Sequence, residues 1–156
     1  MGGLSKKAKQ FDLIAGDKKK ASIKIDAGSL LFKHHRLNLG SEEQEMATAK
    51  GIVKSYSAMA FDGVGIGRQD LIAGLDFLKT IAESSDFPWL SANLVRKSTG
   101  KPLFGQSTLI NVDGLTIGVT ALTSPSLFKP FSEADDAQIV DWQKTLPTVL
   151  DKLAPK

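Results

Sequence analysis

FDGVGIGRQDLIAGLDFLKTIAESSDFPWLSANLV, residues 61–95, sets a short apolar run, a helical pattern and a second apolar run in succession. Gly63-Val64-Gly65-Ile66-Gly67 has the length of a buried strand, and its glycines would let another backbone approach closely. Leu71, Leu75, Leu78 and Ile81 or Ala82 recur at helical spacing, which predicts a helix from about Gln69 to Ser84. Phe87-Pro88 breaks the chain, and Trp89 to Val95 reads as the next strand.

The flanks extend the same alternation. Leu4, Ala8, Phe11 and Ile14 fall three or four apart, predicting an amphipathic helix that Gly16 ends. Ala21, Ile23 and Ile25 alternate with polar residues, predicting a strand from Ala21 to Asp26. Ser41-Glu42-Glu43-Gln44 has the form of a capping box and opens a helix expected to run to about Ala60. Beyond a polar loop at 96–105, Thr108–Val112 and Leu115–Leu122 flank Asp113-Gly114, the dipeptide of a type I′ hairpin turn. Residues Ser124 to Asp136 read as a loop, and a last helix from about Asp136 to Leu153 contains Pro147, which should break or bend it. Together these elements predict an α/β fold, a mixed β-sheet with packed helices, in one domain spanning residues 1–156.

The 42% hydrophobic and 24% charged content is that of a folding globular chain. Of the net charge of +3, much comes from lysines between Lys6 and Lys24. That stretch holds only Phe11 among aromatics and lacks the interleaving expected of a nucleic-acid surface, so no nucleic acid is expected as partner. No apolar run approaches a bilayer span and no signal peptide is recognisable, so no membrane is expected as partner. The absence of cysteine excludes disulfides, thiolate nucleophiles and cysteine zinc sites.

Candidate chemistry gathers at strand ends. Asp26 and Ser29 follow the first strand, while Arg68, Gln69 and Asp70 follow the glycine-rich one. If the two strands run parallel, these residues share the edge where open α/β sheets bind ligands. Asp26 with Asp70 is the one carboxylate pair that can be placed for acid and base work, against a capping or solvated role for each. Ser29 has no placeable base, so a hydrolytic triad has no support. The run Gly63 to Arg68 matches neither the dinucleotide fingerprint nor the P-loop. His34-His35, beside Lys33 and Arg36, reads as solvated side chains rather than metal ligands.

Several segments, taken in order, resemble the catalytic domain of the 5′-nucleotidase and UDP-sugar hydrolase family of calcineurin-like metallophosphoesterases. Gly2-Gly3-Leu4 and the basic helix after it resemble the stretch behind the family's first strand. Ile25-Asp26-Ala27-Gly28-Ser29-Leu30-Leu31 resembles its Asp-Ala-Gly-Asp-Leu segment, and Phe61 to Asp70 resembles the stretch ending in Gly-Asn-His-Glu. Phe87-Pro88-Trp89-Leu90-Ser91-Ala92-Asn93-Leu94 resembles its Phe-Pro-x-Leu-Ser-Ala-Asn segment; Lys101-Pro102-Leu103-Phe104 and the Gly114 to Val119 hairpin follow.

The resemblance implies part of the family's α/β-β/α sandwich, hydrolysis of nucleotide phosphate esters with two divalent metal ions, and a periplasmic or extracellular setting. It adds Asn93 to the candidate crevice of Asp26, Ser29, Arg68, Gln69 and Asp70. The departures fall where the family does its chemistry, on the aspartate, asparagine and histidine that hold its metals and on the glutamate beside them. Ser29 stands where the family has aspartate, Arg68 where it has asparagine, Gln69 where it has histidine, and Asp70 where it has glutamate. The Asp-x-His would lie before Met1 and the later histidines beyond Lys156. Ser29 brings no bridging charge, and a guanidinium about 4 Å from a metal would cost roughly several kcal/mol.

No metal or other cofactor is therefore expected in this chain, which reads as a pseudoenzyme-like domain. The alternatives are an active phosphohydrolase whose missing ligands lie outside the chain, and a nucleotide or phosphate binder using Arg68. Sheet edges that a longer family member would cover suggest a homodimer.

Overall fold

The computed structural model describes residues 3–16, 22–125 and 135–154. Helix α1 (Gly3–Ala15) precedes strand β1 (Ile25–Asp26), helix α2 (Glu42–Ala58), strand β2 (Gly63–Gly65), a 3₁₀ turn (Arg68–Leu71) and helix α3 (Leu75–Glu83). Strands β3 (Trp89–Leu90), β4 (Leu94–Val95), β5 (Ser107–Val112), β6 (Leu115–Thr120) and β7 (Gln138–Ile139) follow, then helix α4 (Trp142–Leu153).

The central sheet is parallel, in the order β1-β2-β3, with Ile25 opposite Gly63 and Val64 opposite Trp89. A parallel sheet needs apolar cover. Here Ala49, Val53 and Tyr56 of α2 and Leu78 and Ile81 of α3 are buried in one core with Val64, Ile66 and Trp89. Helix α1 adds Phe11, whose ring meets Phe61 edge-on at 5.5 Å, and Phe61 stacks on Tyr56 at 4.1 Å. The fold is thus the α/β class expected; α2 and α3 bury the faces the spacing marked, whereas Ile14, placed on the apolar face of α1, is exposed.

The departures have local causes. The first strand is shorter than expected; Ala21 lies outside the described residues. The expected helix at Gln69 to Ser84 is divided, because Gly74, at φ 89°, turns the chain between the 3₁₀ segment and α3. Leu71 and Leu75 stay buried all the same, so the periodicity survived the break. The Ser41 capping box does not form. Ser41 precedes α2, but its hydroxyl donates to the Asn38 carbonyl at 3.2 Å instead of capping. Glu42, Glu43 and Glu45 in the first turn still complement the helix dipole.

Trp89 to Val95 is two strands rather than one: β3 joins the central sheet, whereas β4 pairs antiparallel with β7. Between them the Ser91 and Ala92 amides bond to the Gly105 and Ala121 carbonyls, the Ser91 hydroxyl accepts the Leu94 amide, and the Asn93 side chain donates to the Thr123 carbonyl. The β5–β6 hairpin forms as read, with positive φ at both Asp113 and Gly114. The loop expected at Ser124 to Asp136 lies mostly outside the described residues.

Helix α4 starts later than expected. Asp141 caps it by accepting the Gln143 amide at 3.0 Å, while Asp136 is held by Ser98 and Arg96. Pro147 does not break it. The proline is exposed, and the Gln143 carbonyl that it leaves without a helix donor belongs to an exposed residue, where water can serve. No described helix is long and apolar enough to cross a membrane.

Candidate functional site

Because β1 and β2 run parallel, their carboxyl ends fall on one edge, and the loops leaving them interlock there. Gly28, at φ 97°, approaches so closely that a Cβ would lie 2.5 Å from both the Gly65 carbonyl oxygen and the Gly67 nitrogen. A Cβ on Gly67 would in turn overlap the Ser29 nitrogen and hydroxyl. This contact is what the glycine-rich run supplies, and no other residue type would allow it.

Asp70 ties the two loops. It is fully buried, and both carboxylate oxygens are engaged by backbone amides. Oδ1 accepts from Leu30 at 2.7 Å and Leu31 at 2.9 Å; Oδ2 accepts from Ser29 at 2.7 Å and Gly67 at 2.8 Å. Burial pushes its carboxyl above the usual carboxylate range, and the four amide bonds offset that only in part. Ser29 is exposed and held at φ 58°, a left-handed geometry that its bond to Asp70 helps to maintain.

Asp26 belongs to a different network. Its Oδ1 accepts the Gly28 amide at 3.0 Å, and Oδ2 receives the Tyr56 hydroxyl at 2.8 Å and the Lys7 ammonium at 3.2 Å. Lys7 also donates to the Tyr56 hydroxyl at 2.7 Å and lies 4.8 Å from the centre of that ring. Burial alone would raise the Asp26 pKa, but the Gly28, Tyr56 and Lys7 contacts bring it below the ordinary value. For Lys7, burial opposes protonation, yet the bonds to Tyr56 and Asp26 leave its pKa raised. Burial, with Asp26 nearby, raises that of Tyr56.

The acid and base pair considered for Asp26 and Asp70 is therefore not what the geometry builds. One carboxylate neutralises a lysine, and the other saturates backbone donors. Sequence reading missed Lys7 and Tyr56 as partners of Asp26, although one signal was present. Lys7 shares the helical face of Leu4 and Phe11, an odd place for a solvated lysine.

Asn93 also departs from the crevice. It is fully buried, donates to the carbonyls of Thr123 at 2.9 Å and Val140 at 3.1 Å, and accepts the Thr123 amide at 2.8 Å. It fastens the segment after β6 and the one after β7 to the turn between β3 and β4, which is a structural task. Arg68 and Gln69, half-buried in the 3₁₀ turn, stay beside Ser29 at the sheet edge. His34 and His35 are exposed on the loop after β1.

A dinuclear metal centre finds no fit among the described residues. No three histidine, cysteine or acidic groups come together there, Asp26 already holds an ammonium, and Asp70 has no oxygen left over. Ser29, Arg68 and Gln69 contribute no anionic ligand.

No family model matches the chain. Its sequence is similar to the 5′-nucleotidase of Vibrio vulnificus (strain CMCP6), 31% identical over 114 residues, or 72% of this chain and 21% of that protein. The fold is similar to that of the sulfate thiohydrolase SoxB from Thermus thermophilus, with TM-score 0.75, 17% identity, and coverage of 97% of this chain and 27% of that one. It is also similar to the calcineurin-like phosphoesterase YfkN from Bacillus subtilis, with TM-score 0.70, 19% identity, and coverage of 94% and 50%. The fold is thus that of calcineurin-like phosphoesterase domains. The chain belongs to the 5′-nucleotidase and UDP-sugar hydrolase family, and spans about a fifth of the length of the curated relatives it matches.

Proposed function

We propose that this chain is a 5′-nucleotidase-like domain which keeps the phosphoesterase scaffold but, with its own residues, assembles no working dinuclear centre. The observation that carries the reading is the set of side chains at the strand ends, where Ser29, Arg68 and Gln69 offer no anionic ligand and the one carboxylate beside them, Asp70, is committed to the backbone. A carboxylate at the sheet edge, in the position of the family's acidic residue, spends both oxygens on four backbone amides while Ser29 beside it brings only a hydroxyl. The cationic group at that edge is Arg68, half-buried beside Gln69 in the 3₁₀ turn. A guanidinium suits phosphate through paired charge-assisted hydrogen bonds, so the ligand proposed there is a nucleotide or free phosphate.

Metal content by elemental analysis, followed by calorimetric titration with manganese and zinc, tests the first half. An empty protein without saturable metal binding is expected; two stoichiometric ions would sink the reading. Nucleotide binding that is lost in Arg68→Ala is the expected result for the second half.

A second reading is favoured by the chain's share of its relatives' length. In it, an active phosphohydrolase draws its remaining ligands from polypeptide outside this chain. Manganese-dependent hydrolysis of a generic phosphomonoester by the isolated protein would speak for ligands already present. The same activity appearing only in a longer form would speak for the second reading. By family, the proposed setting is the periplasm or the cell exterior, checked by fractionating cells that express the native gene.

A further inference from the structure

The loop leaving β1 runs beside α2, and together they line a half-open cavity of about 600 Å³. That is a size small organic ligands occupy. The buried part of its lining is apolar: Leu31 is 3% exposed and Phe32 7%, with Leu30 and Ile52 half-buried next to them. Polar groups stand around this surface. The loop supplies Lys33 and His34, both exposed, and α2 supplies Thr48 and Glu45. Ser29 and Gln69 join the cavity to the strand-end crevice, but Arg68 does not line it.

Two properties select a ligand class. Glu45, the one carboxylate in the lining, already accepts a hydrogen bond from the Asn38 side-chain amide. Glu45 keeps its charge on the α2 side, where Asn38 holds it, so the acidic group of a ligand is met on the loop side, where Lys33 and His34 stand. The apolar surface has no use for a bare inorganic ion, whose hydration it would strip without compensation. It suits a flat hydrocarbon or heteroaromatic body instead. The loop amides of Ser29, Leu30 and Leu31 are committed to Asp70, so the acidic group must be met by side chains.

We propose that this cavity binds small organic anions, the flat apolar body lying against Leu30, Phe32 and Ile52 and the acidic group meeting Lys33, His34 and the Ser29 hydroxyl. It is a site separate from Arg68. The proposal goes beyond the phosphate-binding reading and stands without it.

The test is calorimetric titration of the whole chain with three probes: phenylphosphonate, methylphosphonate and benzyl alcohol. None of them can be hydrolysed as a phosphate ester. Phenylphosphonate is expected to bind at least about tenfold tighter than either of the others, since it alone offers both ring and charge. Thr48→Trp, a change at an exposed helix position that fills the cavity, is expected to weaken it at least about tenfold, and Lys33→Ala by a similar factor. In Arg68→Ala the site that prefers phenylphosphonate should persist while any phosphonate binding at the strand-end crevice is lost, with circular dichroism reporting the fold of each variant. Equal binding of the two phosphonates, or indifference to both Thr48→Trp and Lys33→Ala, would overturn the proposal. Benzyl alcohol binding as tightly as phenylphosphonate would overturn the anionic class. Loss in Arg68→Ala alone would return the ligand to the strand-end crevice and leave only the phosphate-binding reading standing.

Discussion

Replacing Asp70 by asparagine tests the knot that joins the loops after β1 and β2. The substitution keeps the shape and one carbonyl oxygen, and replaces the other oxygen with an amino group that donates. The retained oxygen will face Leu30 and Leu31, because Leu31 is buried and its amide has no other recourse. The amino group then points at the amides of Ser29 and Gly67, which now lie 2.7 and 2.8 Å from Oδ2. Two donor-to-acceptor bonds become donor-to-donor contacts. A buried donor left unsatisfied costs about 1–3 kcal/mol. Ser29 is exposed and can rotate its amide toward water, so its share falls at the lower end. Removing a buried charge returns some desolvation energy. The net loss expected is about 2–4 kcal/mol.

Urea unfolding followed by the fluorescence of Trp89, which is 3% exposed, measures it. The sign of the pH dependence is also fixed. Burial raises the Asp70 pKa above its unfolded value, so the group's contribution is fullest at acid pH and declines as pH rises through the raised value. The gap between the parent and Asp70→Asn is thus wider near pH 4 than near pH 7. A variant within about 0.5 kcal/mol of the parent at both pH values would refute the view that these amides depend on the carboxylate.

Asp26 behaves oppositely. Its lowered pKa means a contribution present above the ordinary value of 3.8 and lost as pH falls through the folded value, so Asp26→Asn should flatten the acid limb of the stability curve. A limb of unchanged slope in pH-dependent urea titrations would count against this. Asn93→Ala removes two donated bonds and one accepted amide in a fully buried place, and should cost about 3–5 kcal/mol by chemical denaturation; a loss below about 1 kcal/mol would contradict its role as a fastener. The outer edge of β1, where Ile25 is 51% exposed, is proposed to pair with a second copy; a monomeric mass by light scattering at high protein concentration would dismiss that.

The sequence made the scaffold legible where a pattern had a single physical meaning. Asp113-Gly114 could be little but a hairpin turn, and the glycines at 63–67 could be little but a place of close approach. Leu71 to Ile81 showed their buried face even though Gly74 interrupts the helix they were assigned to. What stayed hidden were side-chain choices with competing partners. Ser41 could cap α2 or bond back to Asn38, and only the course of the preceding loop decides. Asp70 could face solvent or gather amides, and the outcome depends on loops about 40 residues apart being brought together by the parallel pairing of β1 and β2. Asn93 and Lys7 were obscured for the same reason, since their partners at Val140 and Asp26 are remote in the chain.

The β5–β6 hairpin has a consequence for the order of assembly. Its ladder closes on a two-residue turn, so each pairing joins residues close in the chain, and such elements form in about 1–10 μs. The central sheet is different. Ile25 meets Gly63 only after the whole of α2 has been bridged, and Val64 meets Trp89 only across α3. Those closures carry a larger entropic cost before any contact rewards them. Its pairings are therefore expected to close before those of the central sheet, with Leu109 and Leu115 uncovered on the hairpin. Those two leucines remain more than half exposed in the folded chain, at 56% and 65%, one on each face of the hairpin, so neither face of this unit is fully covered by the finished fold.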